Sequence, residues 1–307
     1  MMNNRKNNLF NPRRKMKDGD RFLIALILLL LVALCAYAYL YRDQLPWRTK
    51  KASQLIIKEQ ADSIKQPFNT NPKFVEVEQI IEVDAKTQEH LKTFHERVLE
   101  LSNTYPDTFI FQGPQDQKNI ALTIDDGPEL LNTPMILQTL QKYQVKATFF
   151  LLGEQIARYP LTTKKIQEAG HEIGNHSYSH PHFDTISLQK AKVEILKTEV
   201  LCREVLDVTP KIIRPPYGMM TEEQIHYYKE KGYKIVDWSV DPMDWYTQNE
   251  NSIYTSVIHS IHNGAIILLH CSGNQNRREA TIKAIDRMIP TLQNQGYRFV
   301  TVSQLLK

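Results

Sequence analysis

Two adjacent carboxylates, Asp125 and Asp126, end the apolar run Ile120-Ala121-Leu122-Thr123-Ile124 and lead into Gly127 and Pro128. Like charges that close raise each other's pKa unless a cation sits beside one of them. A solvated turn accounts for Asp, Gly and Pro in one stretch, so the pair gains meaning only from its company. Further along stand His176 and His180, four apart in "GNHSYSHPHF", then Arg214 and Tyr217 in "RPPY". Asp241, Asp244 and Trp245 follow in "SVDPMDW", and His270 closes "IILLH". Two histidines and one carboxylate form a metal site that leaves coordination positions open for water, as catalytic sites do. A cation there also resolves the carboxylate pair, with one Asp as ligand and the other free as a base. An isolated His-x-x-x-His reads as structural, and His171 and His182, which lack comparable context, are read that way.

Such residues need elements to bring them together. From residue 114 onward, short apolar runs alternate with helical spacing. Strands are expected at 119–124, 147–152, 172–175, 211–214, 234–240, 265–270 and 297–302. Helices are expected at 133–143, 154–169, 187–206, 221–231, 252–263 and 277–295. Alternation of this kind implies an α/β fold with parallel strands and crossover helices. Seven strands in fewer than 200 residues predict a distorted or incomplete (β/α) barrel rather than a full eight-stranded one. Each polar segment then falls at the C-terminal end of a strand, on the rim where parallel α/β folds assemble sites from separate loops. Five separate turns placing such residues on one rim outweigh the solvated-turn reading.

Taken in order, "TIDDGP", "HSYSH", "RPPYG", "DPMDW" and "LLH" resemble the five motifs of the polysaccharide deacetylase family (carbohydrate esterase family 4, the NodB homology domain). The resemblance covers residues 114–307. Ile124 stands where Phe is commoner, at a core-facing strand position. The resemblance implies metal-dependent hydrolysis of an N-acetyl group on a sugar polymer, with Asp126, His176 and His180 holding a divalent ion, Zn2+ or another such as Co2+. It implies Asp125 as general base, Arg214 as the partner that keeps Asp125 ionised, and the Tyr217 N–H as an oxyanion donor, its ring free to stack on sugar. His270 would be the general acid, with Asp241 setting its protonation, and Trp245 and Leu268 would wall the acetyl pocket. Plainer readings stand beside these: Arg214 as an ion pair, Trp245 and Leu268 as core, Asp244 as a turn or helix cap.

The rest of the chain bears on where this chemistry happens. Net charge is +4 over 307 residues, but residues 1–21 carry seven basic groups against two acidic ones, so the remainder sums to −1. A body without excess positive charge argues against a nucleic-acid partner. Residues 22–41, "FLIALILLLLVALCAYAYLY", hold no charge and match the length of a bilayer span. The expectation is a basic cytoplasmic tail (1–21), a single-pass anchor in the cell membrane (22–41), a largely helical stalk (42–113) and an extracytoplasmic catalytic domain (114–307), monomeric. Ala36-Tyr37-Ala38 has the small-x-small pattern of a signal peptidase site, so a cleaved leader and a secreted domain remain the alternative. Three cysteines are too few for a disulfide framework, and Cys202 and Cys271 read as buried thiols. A catalytic domain outside the membrane meets cell-wall glycan first. The expected substrate is peptidoglycan, at its N-acetylglucosamine residues, since relatives acting on N-acetylmuramic acid often depart from Asp-Asp-Gly-Pro. Chitin oligomers, poly-N-acetylglucosamine, xylan esters and a non-catalytic glycan-binding role are the alternatives.

Overall fold

The structure, a computed structural model, describes Ile81 and residues 83–307. The expected tail, membrane span and first part of the stalk lie outside the described residues. Among the described residues no helix is long and apolar enough to cross a membrane. The path runs α1 (Ala85–Thr104), β1 (Phe109–Ile110), β2 (Asn119–Gly127), α2 (Asn132–Lys142), β3 (Thr148–Leu151), α3 (Gly153–Arg158), α4 (Pro160–Glu168) and β4 (Glu172–Asn175). It continues through α5 (Leu188–Leu206), β5 (Ile212–Ile213), α6 (Glu222–Glu230), β6 (Lys234–Val236), α7 (Glu250–Ser260), β7 (Ile266–His270), α8 (Gln275–Asn294), β8 (Arg298–Val300) and α9 (Val302–Leu305).

Every strand pair in the sheet is parallel, in the order β1-β6-β5-β4-β3-β2-β7, with β8 beside the start of β2. Bridges from Gln112, just after β1, to Ala265 and from Val240, in the chain leaving β6, to Ile267 tie the β1–β6 side of that path to β7. Among the described residues eight strands are present where seven were expected. The extra one, β1, is two residues long and too short to show a period. The helix expected over 154–169 is two, because Pro160 starts a second one at N1, where its fixed φ and missing N–H are tolerated.

Residues expected in the stalk belong to the same body as the barrel. Helix α1 buries Leu91, Phe94, Val98 and Leu101, an i, i+3, i+7, i+10 stripe. Phe94 stacks on Trp238 with ring centroids 5.0 Å apart. The approach is close enough to explain Gly218 in "RPPYG": a Cβ there would lie 2.5 Å from the Phe94 ring, and its φ of +71° suits only glycine well.

Strand alternation sorts side chains between two cores. Ile120, Leu122 and Ile124 of β2 join Phe149, Leu151, Ile267 and Leu269 and face helices such as α2 and α8. The alternate residues Ala121, Phe150, Ile266 and Leu268 form a second cluster, and Thr123, Asp125 and His270 continue that second face up the strands.

Candidate active site

Strict alternation would send Asp125 and Asp126 to opposite faces of β2. Instead the pairing of β2 with β3 shifts register between Asp125 and Gly127, and Asp126 takes a left-handed φ of 70°. A bulge of this kind re-aims a side chain. Both carboxylates consequently face His176: its Nε2 lies 3.5 Å from Asp126 Oδ1 and 3.8 Å from Asp125 Oδ2. His180 Nε2 is 3.4 Å from the same Asp126 oxygen.

Asp126, His176 and His180 bring one ligand atom each to within 4.8 Å of one another. Asp126 Oδ1 is buried and has no hydrogen-bond partner, an arrangement that costs free energy unless something positive satisfies it. His176 Nδ1 sits 2.8 Å from the Arg214 carbonyl oxygen. That carbonyl can only accept, so Nδ1 carries the proton and Nε2 presents its lone pair to the cluster. Burial, then the nearby His176, push His180 down to about 4, which keeps it neutral as a ligand must be. Burial opposes a charge on Asp126, but the close approach of His176 and the His270 charge hold its carboxyl well below the usual range. The donor set fits a divalent cation.

The loop after β4 is held by groups that sequence spacing does not reveal. Asn175, fully buried, accepts from the Ser177 N–H and donates to the Ile195 carbonyl. The Glu194 carboxylate on α5 accepts from the N–H groups of Tyr178 and Ser179 and from the Ser179 hydroxyl. Ser177 and His180 both have left-handed backbones, strain that persists only where such contacts over-determine it.

Arg214 is completely buried. Its Nη1 donates to Asp125 Oδ1 (2.8 Å) and to Thr123 Oγ1 (2.7 Å), its Nε to the Val236 carbonyl and its Nη2 to the Asp237 carbonyl. The guanidinium lies 4.2 Å from the Phe150 ring centroid. Phe150 in turn needs Gly174 opposite it, where a Cβ would meet the ring at 2.4 Å. Asp125 is thus aimed by a cation that is itself fixed at four points. Asp237, which carried no sequence signal, is buried with both carboxylate oxygens unpartnered. Burial pushes its carboxyl well above the usual range, although Arg214 opposes this.

His270 at the end of β7 pairs with Asp244, not with Asp241 as expected. Its Nδ1 is 2.7 Å from Asp244 Oδ1, and its N–H donates to Asp244 Oδ2. Asp244, expected as a turn or cap, is fully buried and also accepts from Arg278 Nη1 and Thr281 Oγ1. Burial acts to lower the His270 pKa, but the Asp244 charge and hydrogen bond, with help from Asp126 and Asp125, raise it to about 9. Asp241 is turned elsewhere: its Oδ1 accepts from the Met243 N–H at 2.7 Å and from Trp245 Nε1 at 3.2 Å. The cause is local, since Met243 has a left-handed φ of 56° that reverses the chain between the two aspartates. Trp245 packs against the small cluster of Ile81, Leu91 and Met243, and Leu268 lies buried on the same face of β7 as His270. Tyr217, also left-handed with φ 60°, is 45% exposed. Its ring meets His180 edge-on at 4.8 Å and lies flat on His182.

A parallel α/β barrel whose rim joins an Asp-His-His cluster, an arginine-held aspartate and an aspartate-held histidine defines a hydrolase-type site. Residues 112–236 match the family model described as "Polysaccharide deacetylase". A peptidoglycan-N-acetylglucosamine deacetylase of Bacillus cereus is 39% identical over 199 residues, 65% of this chain and 72% of its own length. The chain belongs to the polysaccharide deacetylase family. It is also similar to the crystal structure of a peptidoglycan N-acetylglucosamine deacetylase in complex with 4-naphthalen-1-yl-N-oxidanyl-benzamide, at TM-score 0.63 and 40% identity over 64% of this chain and 92% of that one. A CE4 family pseudoenzyme from Bacillus anthracis resembles it at TM-score 0.60 and 31% identity, over 64% of this chain and 68% of that one.

Proposed function

We propose that this protein hydrolyses the N-acetyl group of N-acetylglucosamine residues in cell-wall peptidoglycan and releases acetate. The observation that carries the reading is the complete set on one rim: Asp125 on Arg214, Asp126 with His176 and His180, and His270 on Asp244. Relatives named as peptidoglycan-N-acetylglucosamine deacetylases support the choice of glycan. A pseudoenzyme among the similar structures makes a non-catalytic role the rival. The presence here of both a base and an acid candidate favours catalysis.

Asp126, His176 and His180 would hold a divalent ion, which when bound supplies Lewis acidity that polarises the acetamide carbonyl and acidifies the attacking water. Asp125, kept beside the Arg214 cation, accepts the proton of that water. The Tyr217 N–H donates to the oxyanion of the tetrahedral intermediate, a type of contact worth about 2.7–4 kcal/mol per donor. His270, with Nδ1 engaged by Asp244, presents Nε2 as the acid that protonates the departing amine. Leu268 and Trp245 provide apolar wall for the acetyl methyl.

Purified protein is expected to carry about one divalent ion per chain and to release acetate from peptidoglycan, and chelation should abolish the release. Full activity in metal-free protein would overturn the metal role. Acetate release from chitin oligomers, poly-N-acetylglucosamine or acetylated xylan but not from peptidoglycan would reassign the substrate.

The uncharged run at 22–41 behind a basic tail supports an N-in anchor with the catalytic domain outside the membrane. Protease added to intact cells should then remove the domain. A mature protein beginning near Tyr39 would show instead that a leader had been cleaved.

A further inference from the structure

We propose that His182 is a positioning residue for this reaction: its ring, stacked flat on Tyr217, holds the left-handed Tyr217 backbone and with it the N–H donor. The inference rests on the deacetylase reading above, in which that N–H faces the developing oxyanion. The two rings lie 3.6 Å apart, centroid to centroid, and are parallel to within 1°. Tyr217 needs such support. A non-glycine residue at φ 60° is strained and relaxes unless its surroundings over-determine it. At 45% exposed, its side chain is not held by burial in the core.

His182 is itself well placed to act as the fixed partner. The next residue, Phe183, is fully buried. Gln224 Nε2 donates to the carbonyls of both Phe183 and Ile186, at 2.8 and 2.9 Å. Gln224 belongs to the first turn of α6, whose Thr221 capping box lies just after the Tyr217 loop. The same buried amide thus ties the His182 segment to the helix that follows Tyr217, so the two rings are brought together by fixed backbone on both sides. No ring nitrogen of His182 has a short polar contact: its Nδ1 is 4.0 Å from Asp184. The face of the ring, rather than its proton, is what it contributes.

The test measures steady-state acetate release by the full chain from peptidoglycan, together with bound-metal content. His182→Ala is expected to lower kcat by about two- to tenfold, the range of an aromatic pair, with KM and metal content unchanged. His182→Phe, which restores a flat ring without ring nitrogens, is expected to bring kcat back to within about twofold of the parent. An unchanged kcat in His182→Ala overturns the inference. So does equal loss in the Phe variant, or a loss confined to KM, which would make His182 a glycan contact instead. A parent chain that releases no acetate counts against the deacetylase reading itself, and against this inference with it.

Discussion

Asp125→Asn is expected to keep its divalent ion and lose turnover by about 10²–10⁴-fold, the usual contribution of a general base. His176→Ala is expected to lose ion and turnover together. The division follows from distances. Asp126 Oδ1 lies nearer than Asp125 to His176, and the same oxygen is 3.4 Å from His180 Nε2. Asp125 Oδ1 is instead engaged by Arg214 Nη1 at 2.8 Å. Asparagine has nearly the same shape and can still accept that hydrogen bond through its carbonyl, but it cannot take a proton from water. Because Arg214 is fully buried, removing its counter-charge also costs stability. Metal content and a melting curve should therefore accompany the kinetics. Equal metal loss in the two variants would overturn the assignment of base and ligand.

A bell-shaped dependence of kcat/KM on pH is the second large effect. Asp125 must be ionised to act as base, so the rate falls at low pH. His270 must be protonated to act as acid, so the rate falls as pH rises through its pKa. Burial favours neutral imidazole, but the Asp244 charge and hydrogen bond favour imidazolium and raise His270 to about 9. Asp244→Asn removes the charge and leaves burial in command, so the alkaline limb should move to lower pH. Asp241→Asn should move that limb less, because Asp241 bonds to Met243 and Trp245 and reaches His270 only through its charge. Both limbs are macroscopic and report the coupled site. Asp244 is also paired with buried Arg278, so rates must be read at a temperature where the variant stays folded. An unmoved limb in Asp244→Asn, or an equal shift in Asp241→Asn, would remove Asp244 from its role.

Much of the fold was legible because its signals are local. The alternation of apolar runs with helical spacing marks β2 through β8 and the helices between them, and parallel strands with crossovers follow from that alternation. Strand β1 left no trace, since two residues cannot show a period of two. The stripe on α1 was readable as a helix, but its docking depends on Phe94 meeting Trp238 across more than a hundred residues of chain.

The candidate site divides along the same line. Residue types and their positions at strand ends were enough, from sequence alone, to single out Asp125, Asp126, His176, His180, Arg214 and His270. Which carboxylate meets which histidine was decided by tertiary structure. Asp241 and Asp244 lie three residues apart in one loop, and spacing cannot say which of them turns towards His270. The left-handed Met243 decides it, as the left-handed Asp126 brings two neighbouring carboxylates to one side of a strand. His182 looked like a structural histidine until its ring was seen against Tyr217. Hydrophobic period and turn chemistry are properties of neighbouring residues and can be read along the chain. Pairing between side chains on different loops depends on a few backbone dihedrals and on the packing that holds them, and it exists only once the barrel has formed.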